Sequence, residues 1–321
     1  MNKTTLPKMS VVIATPDKYA VIRKTIAYLR AQTVKGDLEL VIVAPSAERL
    51  DPDNRELKDF FSVRIVEVSK IRSVAWANAA GIRAASAPVV ALAEDHCFPE
   101  PGWAEALIET HKKHWAVVGP VVRNANPRSR ISRAGFVISY GPWLSPQKVG
   151  EMDHLPGHNS SYKRSILLNY DDLEDMLEAE SILHWDLTAR GYRLYLEPMA
   201  RVSHLNYEIL SFWLMEQYCS GRVFAAVRAR EWTHLKRLLF TAGAPLIPGV
   251  RIYRILKEMN RSREMRSLMR SIWAPVIVGI VVRSTGEMVG YALGRPKGES
   301  KVSHFEFQRL RTSGLLQVIG S

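Results

Sequence analysis

The stretch Pro88–Trp103, with the sequence PVVALAEDHCFPEPGW, decides the fold of this chain. Its first six residues are mostly apolar and have the length and composition of a buried strand. The run Glu94-Asp95-His96 follows, three side chains that can bind a metal ion, and prolines and a glycine then end regular structure. Because ligands bind at the carboxyl ends of strands in open α/β sheets, we predict a divalent-cation site here. The alternative is that Glu94 or Asp95 caps the helix that begins near Pro101.

Apolar runs of strand length alternate with helical patterns through the first half of the chain. The predicted strands are Met9–Ala14, Leu38–Val43, Val63–Val68, Pro88–Ala93 and Ala116–Gly119, and the predicted helices are Tyr19–Gln32, Asp51–Phe61, Ser73–Ala85 and Trp103–His114. This alternation indicates βαβ units and an α/β fold with a mostly parallel sheet. Further along, the pattern predicts strands at Phe136–Ile138, Tyr192–Leu196 and Ala200–Ser203, helices from Arg164 and over Leu177–Arg190, and a long loop over Gly141–Gly157.

The last third of the chain is helical, basic and partly apolar. The predicted helices are Glu208–Arg230, Trp232–Phe240 and Arg251–Arg270, followed by the apolar segment Trp273–Leu293. Between Arg222 and Arg270 there are 12 Lys and Arg and three Glu, so this segment supplies +9 of the net charge of +12. A basic amphipathic region before a weakly apolar one is typical of membrane-surface binding. The alternative is that these helices pack on the core and present a solvated basic face.

The composition bounds the class of protein. With 47% hydrophobic and 24% charged residues, the chain is of ordinary globular type, and its two cysteines lack the CxxC spacing of redox or zinc sites. We divide it into an α/β domain over 1–206, a basic and apolar helical region over 207–295, and a polar tail over 296–321. The positive charge favours an anionic partner, but no nucleic-acid recognition motif is present, so we expect no nucleic acid.

Several motifs occur in one order along the chain. They are the strand and loop Ser10–Pro16, the helix segment Ala77–Ile82, Glu94-Asp95-His96, Gly157–Ser160, Glu180 before Gly191–Arg193, and His204. This order resembles the inverting family 2 glycosyltransferases of the bacterial membrane-associated type, over Met9 to Leu205. The resemblance implies a GT-A nucleotide-diphospho-sugar transferase fold with a C-terminal helical region.

The resemblance also implies an activity. A sugar would move from a nucleotide-diphosphate donor to a glycan or lipid-linked acceptor, with Mg²⁺ or Mn²⁺ as cofactor and a carboxylate as general base. The setting would be cytoplasmic, peripheral at the inner face of the cell membrane, in cell-surface polysaccharide synthesis. Two other functions stay open: a catalytically inactive nucleotide-sugar-binding relative and a basic nucleic-acid-binding protein.

The residues and the resemblance together give the candidate site. The catalytic base is Glu180; the donor-binding residues are Thr15, Asp17, Arg72, Asn78, Glu94 and Asp95; the metal ligands are Asp95 and His204; and the acceptor-side residues are Trp103, Asn159 and Arg222. Structural alternatives stay open for four of them. Glu180 belongs to an acidic helix face, Asn78 and Trp103 fit helix packing, and His204 fits a hydrogen-bonded strand end.

Three positions depart from the family pattern. Ala44 stands where many relatives have an Asp that binds the uracil ring, so the donor base stays open. Ala77 replaces the usual Arg beside Asn78, and Arg72, one turn earlier, is the candidate substitute. The metal motif is Glu-Asp-His instead of Asp-x-Asp, which leaves the ligand assignment open between its members.

Overall fold

The computed structural model describes residues 6–143, 150–259, 263–295 and 307. The chain divides into two compact units, the first from Met1–Arg123 and Ser145–His204, the second from Asn124–Leu144 and Leu205–Ser321. The division predicted from sequence at residue 206 stays a prediction, and these units differ from it in the placement of 124–144. The predicted polar tail, 296–321, lies outside the described residues except for Phe307.

The described residues form nine strands and thirteen helices. Strands β1 to β9 are Met9–Ala14, Leu38–Ala44, Ser62–Glu67, Val89–Ala93, Cys97–Pro99, Val117–Asn124, Gly150–Met152, Ser161–Lys163 and Leu194–His204. Helices α1 to α13 are Tyr19–Arg30, Ala47–Leu50, Asn54–Leu57, Val74–Ala84, Trp103–His111, Arg130–Tyr140, Arg164–Leu167, Leu173–Leu177, Glu180–Ala189, Leu210–Arg228, His234–Gly243, Ile247–Met259 and Arg263–Leu293. Short 3₁₀ turns lie at Lys35–Asp37, Gly141–Trp143 and Ala244–Leu246.

One sheet carries all nine strands, in the order β3-β2-β1-β4-β8-β6-β9-β5, with β7 paired to β9. Strand β1 pairs in parallel with β2 and β4, and β2 pairs in parallel with β3. The pairs β4–β8, β6–β8, β5–β9 and β7–β9 are antiparallel. The predicted α/β class is confirmed, but the sheet is mixed where the sequence predicted a mostly parallel one.

The first half of the fold can be predicted from the sequence because its central parallel strands are buried. Every residue of β1, β2 and β4 is buried. Such strands have both faces covered and therefore read as continuous apolar runs. The one acidic residue among them, Glu39, accepts hydrogen bonds from the Ser10 hydroxyl at 2.5 Å and the Ser86 amide at 2.7 Å. Burial alone would raise the pKa of this carboxyl, but those bonds outweigh it and lower the pKa.

Two predicted elements are wrong. Phe136–Ile138 is part of helix α6, capped by Ser129, whose hydroxyl accepts from the Ser132 amide at 3.3 Å. Of the helix predicted over Asp51–Phe61, only Asn54–Leu57 is helical, as α3, and Asp51 instead ends the preceding helix α2 in the left-handed conformation (φ 52). In the predicted loop Gly141–Gly157, Gly150–Met152 forms β7, and residues 144–149 lie outside the described residues.

The second unit is built on the close approach of α10 and α13. A Cβ on Gly286 would overlap the Tyr218 carbonyl oxygen, and one on Gly221 would overlap the Arg283 carbonyl oxygen. By length and composition alone, α13 is apolar enough to cross a membrane over Arg266–Leu293, and 44% of its most apolar window is buried inside the protein. Within the described residues it is the one helix with that property.

Candidate active site and metal centre

The carboxyl ends of β1 and β4 lie side by side, because these strands pair in parallel with Ile13 opposite Ala93. Thr15 follows β1 and is fully buried, and its hydroxyl accepts a hydrogen bond from the Asp17 amide at 3.2 Å. Glu94 follows β4 at the same edge. The sheet therefore brings the two predicted donor-binding stretches to one edge.

Helix α1 fixes the backbone at the end of β4. The buried hydroxyl of Thr25 lies 3.0 Å from both the Glu94 and the Asp95 carbonyl oxygens, as donor to them. The Asp95 carboxylate in turn lies 2.6 Å from Nδ1 of His96. Asp95 therefore orients the imidazole of its neighbour, in the way that outer carboxylates orient metal-ligating histidines.

Glu94, His96 and His204 form a buried cluster. The antiparallel register of β5 and β9 places Cys97 opposite His204, which brings the two histidine rings to 5.0 Å in a T-shaped arrangement. Oε2 of Glu94 lies 3.5 Å from Nε2 of His96 and 3.8 Å from Nε2 of His204. One possible ligand atom from each residue lies within 4.8 Å of the others.

This donor set fits a divalent cation. Neighbouring ligands of an octahedral ion with bonds near 2.1 Å are about 3 Å apart, so small side-chain adjustments would close the cluster on an ion. Two imidazoles and one carboxylate suit Mn²⁺ better than Mg²⁺, which prefers an all-oxygen shell. Of the two ligands proposed from sequence, His204 belongs to the cluster. Asp95 lies beside it and contacts His96 instead.

The segment Gly157–Asn159 connects this cluster to Glu180. The Asn159 amide donates to the Leu92 carbonyl at 2.6 Å, and Asn159 has φ 58, a left-handed conformation. His158 Nδ1 then lies 3.0 Å from Oε1 of Glu94 and 3.7 Å from Oε1 of Glu180. A Cβ on Gly157 would approach Oε1 of Glu180 to 2.7 Å, so glycine leaves the room that this carboxylate occupies.

Glu180 is the first residue of α9 and is partly exposed, with 22% of its side chain accessible. Glu180 and Glu94 both contact the ring of His158, and the role of Glu180 as catalytic base stays a prediction. One turn later, His184 anchors α9: its Nδ1 accepts from the Leu155 amide at 3.2 Å, and its Nε2 lies 3.0 Å from the Tyr162 hydroxyl. Burial lowers the pKa of His184 to about 3 and raises that of Tyr162 well above its usual value.

Of the other residues predicted for the site, Trp103, Asn159 and Asn78 are buried and Arg72 is exposed. Trp103 is fully buried, and its Nε1 donates to the Asn159 carbonyl at 3.3 Å. The amide groups of Asn159 and Asn78 are buried, and no hydrogen-bond partner within the described residues meets the Asn159 side chain or Oδ1 of Asn78. Arg72 is exposed, with its guanidinium 5.6 Å from the Trp76 ring centre.

Arg222 lies in α10 of the second unit. Its Nε donates to the Gly294 carbonyl at 3.2 Å. The structure therefore gives it a role in packing α10 against the end of α13, and its assignment to the acceptor side stays a prediction.

Sequence reasoning assigned no specific role to two residues of this site, His96 in the cluster and His158 beside it. His96 stands beside the predicted ligand Asp95, and the order Glu-Asp-His was the available signal for it. His158 lies between Gly157 and Asn159, in the motif Gly157–Ser160 that the sequence analysis had singled out. Its contact with two carboxylates depends on the backbone turn at Asn159, which residue types alone do not reveal.

The sequence profile described as glycosyl transferase family 2 matches residues 10–170, half of the chain. The chain belongs to this family. As a family 2 member it is a glycosyltransferase, and the enzyme class predicted from sequence is confirmed. The matched residues include Glu94, His96 and His158, whereas Glu180 and His204 lie beyond them.

Individual known proteins are similar to this chain in sequence or in fold. A glucosyl-dolichyl phosphate glucuronosyltransferase of Haloferax volcanii is 28% identical over 224 residues, which are 63% of this chain and 70% of that protein. The fold is similar to that of the mannosyltransferase PcManGT of Pyrobaculum calidifontis in complex with GDP-Man and Mn²⁺. That likeness has a TM-score of 0.53 and 14% identity, and it covers 90% of this chain and 87% of that one. The GT-A fold predicted from sequence is thereby confirmed.

A third relative is a GalNAc-T7 structure with UDP, GalNAc and Mn²⁺, at 15% identity and a TM-score of 0.47. The similarity covers 64% of this chain and 44% of the GalNAc-T7 chain, so this chain spans less than half of the length of GalNAc-T7.

Proposed function

We propose that this family 2 enzyme transfers a sugar, with inversion, from a nucleotide-diphosphate donor to a glycan or lipid-linked acceptor. The observation that carries the proposal is the buried Glu94–His96–His204 cluster at the carboxyl edge of β1 and β4, with Glu180 connected to it through His158. A cation-binding group and a separate carboxylate are the two parts that such a transfer needs.

Glu180 is the general base in this proposal. Its carboxylate takes the proton of the acceptor hydroxyl as that oxygen bonds to the anomeric carbon, while the bond from that carbon to the leaving phosphate breaks and its electron pair stays on the phosphate oxygen. His158 contacts Glu180 and therefore holds the carboxylate towards the site. Gly157 supports the same orientation because a larger residue would displace Glu180.

The donor occupies the edge formed by the ends of β1 and β4. Thr15 and Asp17 follow β1, where nucleotide contacts are expected in α/β sheets, and Arg72 and Asn78 are the further donor-binding candidates. Glu94, His96 and His204 would hold the ion, with Mn²⁺ the better match to two imidazoles. When bound, the ion supplies positive charge that neutralises the leaving diphosphate.

A lipid-linked acceptor is supported by the Haloferax volcanii relative, whose name specifies a dolichyl phosphate glycolipid. The basic charge of the helical region supports contact with an anionic membrane surface. We therefore propose that the enzyme works at the cytoplasmic face of the membrane, as a peripheral protein, on precursors of cell-surface polysaccharides.

The proposal is tested by calorimetry of the full chain with UDP-, GDP-, CMP- and dTDP-sugars, with and without Mn²⁺. We expect one donor to bind in a metal-dependent manner. Glu180→Gln should bind that donor normally and lose about 10²–10⁴-fold in turnover, the usual contribution of a general base. Glu178→Gln is the matched control, an equal change two residues earlier that should keep turnover.

Two outcomes would contradict the proposal. Full turnover by Glu180→Gln would show that another group takes the proton. Donor binding without transfer or hydrolysis in the unmodified enzyme would indicate the inactive relative, the alternative that the alanines at positions 44 and 77 leave open.

A further inference from the structure

Helix α11 exposes an apolar stripe to solvent. Leu235, Leu238 and Leu239 have exposed fractions of 67%, 64% and 62%. Their spacing of i, i+3 and i+4 places them on one face of the helix. A stripe of this spacing normally faces the core of a soluble protein. Here the apolar stripe is the outer face.

The opposite face of α11 is already packed. Phe240 lies 4.4 Å from the ring centre of Trp232 and 5.5 Å from that of Tyr291, and both aromatic contacts belong to one core cluster with Ala225 and Ala229. Because this packing orients α11 within the second unit, its leucines cannot turn inward without breaking the cluster. Their exposure is therefore a fixed property of the fold.

The next helix repeats the arrangement. Leu246, in the 3₁₀ turn directly before α12, and Val250 and Tyr253, within α12, are spaced at i, i+4 and i+7 and are exposed by 74%, 49% and 66%. The other side of α12 packs Ile252 and Ile255 into the core of the second unit. Two consecutive helices therefore each bury one apolar side and expose another.

The charged residues around these outer faces indicate what kind of surface the faces bind. From His234 to Lys257 the chain carries five Lys and Arg and no Asp or Glu. Arg254 and Lys257 are exposed on α12, and Nζ of the exposed Lys236 lies 4.4 Å from the ring centre of Trp232. Glu258 is the one acidic residue of α12. Outward leucines flanked mainly by cations match the boundary between acyl chains and anionic headgroups.

Helix α13, although long enough to span a bilayer, has a different role in the second unit. Ile272, Val276 and Ile280 are fully buried in its core, and Gly286 and Gly290 are pressed against the backbone of α10. On the rest of α13, Trp273, Val278 and Val281 are exposed by 37%, 45% and 45%, less than the three leucines of α11, so α11 offers the more exposed apolar face.

We propose that the stripe Leu235, Leu238 and Leu239, together with the stripe Leu246, Val250 and Tyr253, binds the surface of an anionic lipid bilayer. The two helices would lie in the plane of the interface with these six side chains among the acyl chains. This proposal names the residues that make the membrane contact of the proposed function. It rests on the proposed function only for the reason why the enzyme would need a membrane.

The test is flotation of the full chain with phosphatidylcholine vesicles, with or without phosphatidylglycerol. We expect binding that requires phosphatidylglycerol and falls at least about 100-fold in the variant Leu235→Gln, Leu238→Gln, Leu239→Gln, since each leucine loses most of its burial energy. The matched control is Leu168→Gln with Met199→Gln, two exposed apolar residues of the first unit, which should bind as the unmodified chain does.

Charge is tested separately. Arg254→Gln with Lys257→Gln should weaken binding to the phosphatidylglycerol vesicles by about fivefold per residue, which is about 1 kcal/mol each. The binding of nucleotide sugars, measured on the same variants, should not change. A failed donor screen with normal flotation would therefore refute the proposed activity and leave the membrane surface intact.

Two results would overturn the inference. Equal flotation of the triple-leucine variant, with circular dichroism showing native helix content, would place the membrane contact elsewhere, such as on α13. A dimer in solution that the same variant converts to monomer, without vesicle binding by either, would identify the stripe as an interface between two copies of this chain.

Discussion

The two units of this glycosyltransferase differ in how their buried charged groups are arranged. In the first unit, Glu94 and two histidines converge on one point at the ends of strands, with a further carboxylate beside them. In the second unit, the buried carboxylate of Glu287 lies 2.5 Å from the guanidinium of Arg251, an ion pair between α13 and α12. One arrangement gathers groups that bind a cation, and the other neutralises a charge inside the protein.

The difference separates function from stability. A buried group that is paired with its opposite lowers the cost of its own desolvation, so removing one partner destabilises the fold. Clustered ionisable groups that surround a potential ligand are typical of functional sites and contribute little to folding. The same isosteric change, Glu to Gln, should therefore have different consequences in the two units.

The largest effect is expected for Glu94→Gln. Replacing the only carboxylate of the cluster should lower Mn²⁺ affinity, and transfer with it, by about 100-fold or more, since even outer partners of metal ligands contribute 10–100-fold. The free energy of unfolding without metal should change by less than about 1 kcal/mol. Calorimetry with Mn²⁺ and urea unfolding measure the two quantities.

A result in the reverse direction would break the comparison. If Glu94→Gln kept its Mn²⁺ affinity and lost several kcal/mol of stability, the cluster would be a structural network and not a metal centre.

Much of this contrast could be predicted from the sequence, because it depends on strand ends. The runs that became β1, β2 and β4 are apolar throughout, so the position of Glu94 at a sheet edge followed from its place after the fourth run. His204 was placed at the end of the short predicted strand Ala200–Ser203, which is the last part of the longer β9. Spacing along the chain was sufficient wherever a long buried strand carried the residue.

Prediction failed where direction or short elements decide the outcome. Whether Asp95 or His96 faces the cluster depends on the turn between β4 and β5, which has no sequence period. Strand β8 has three residues, too few for an alternating pattern to appear. The apolar residues around Phe136 suit a strand equally well, and they form helix α6 because its Ala134 and Val137 pack into the core of the second unit.

A smaller effect is expected for Glu287→Gln. The variant should lose about 2 kcal/mol in the free energy of unfolding, less than the 3–5 kcal/mol of a fully buried pair, because 28% of the Arg251 side chain remains exposed. Transfer per folded molecule and Mn²⁺ affinity should stay unchanged. Urea unfolding with activity at low urea checks both, and a loss of Mn²⁺ affinity would contradict the separation of roles.

The effect that is smallest at neutral pH concerns histidines of the first unit that lie outside the cluster. Burial lowers the pKa of His184 to about 3 and that of His111 to about 4, from an ordinary value of 6.5. Below pH 6.5 these two histidines are therefore protonated in the unfolded chain but neutral in the folded chain. Stability then falls with decreasing pH, by about 1.4 kcal/mol per pH unit for each imidazole, until the folded pKa is reached.

The variant His184→Gln sharpens this expectation because glutamine takes no proton while keeping groups that can meet the Leu155 amide and the Tyr162 hydroxyl. Its free energy of unfolding, measured by urea at intervals from pH 6 to pH 4.5, should fall less steeply than that of the unmodified enzyme, by about 1.4 kcal/mol per pH unit. Above pH 7.5 the two slopes should coincide, since the imidazole is neutral in both states there. Parallel curves below pH 6 would mean that His184 is protonated in the fold. The buried hydrogen bonds that set the start of α9, and with it the position of Glu180, would then have a different donor pattern.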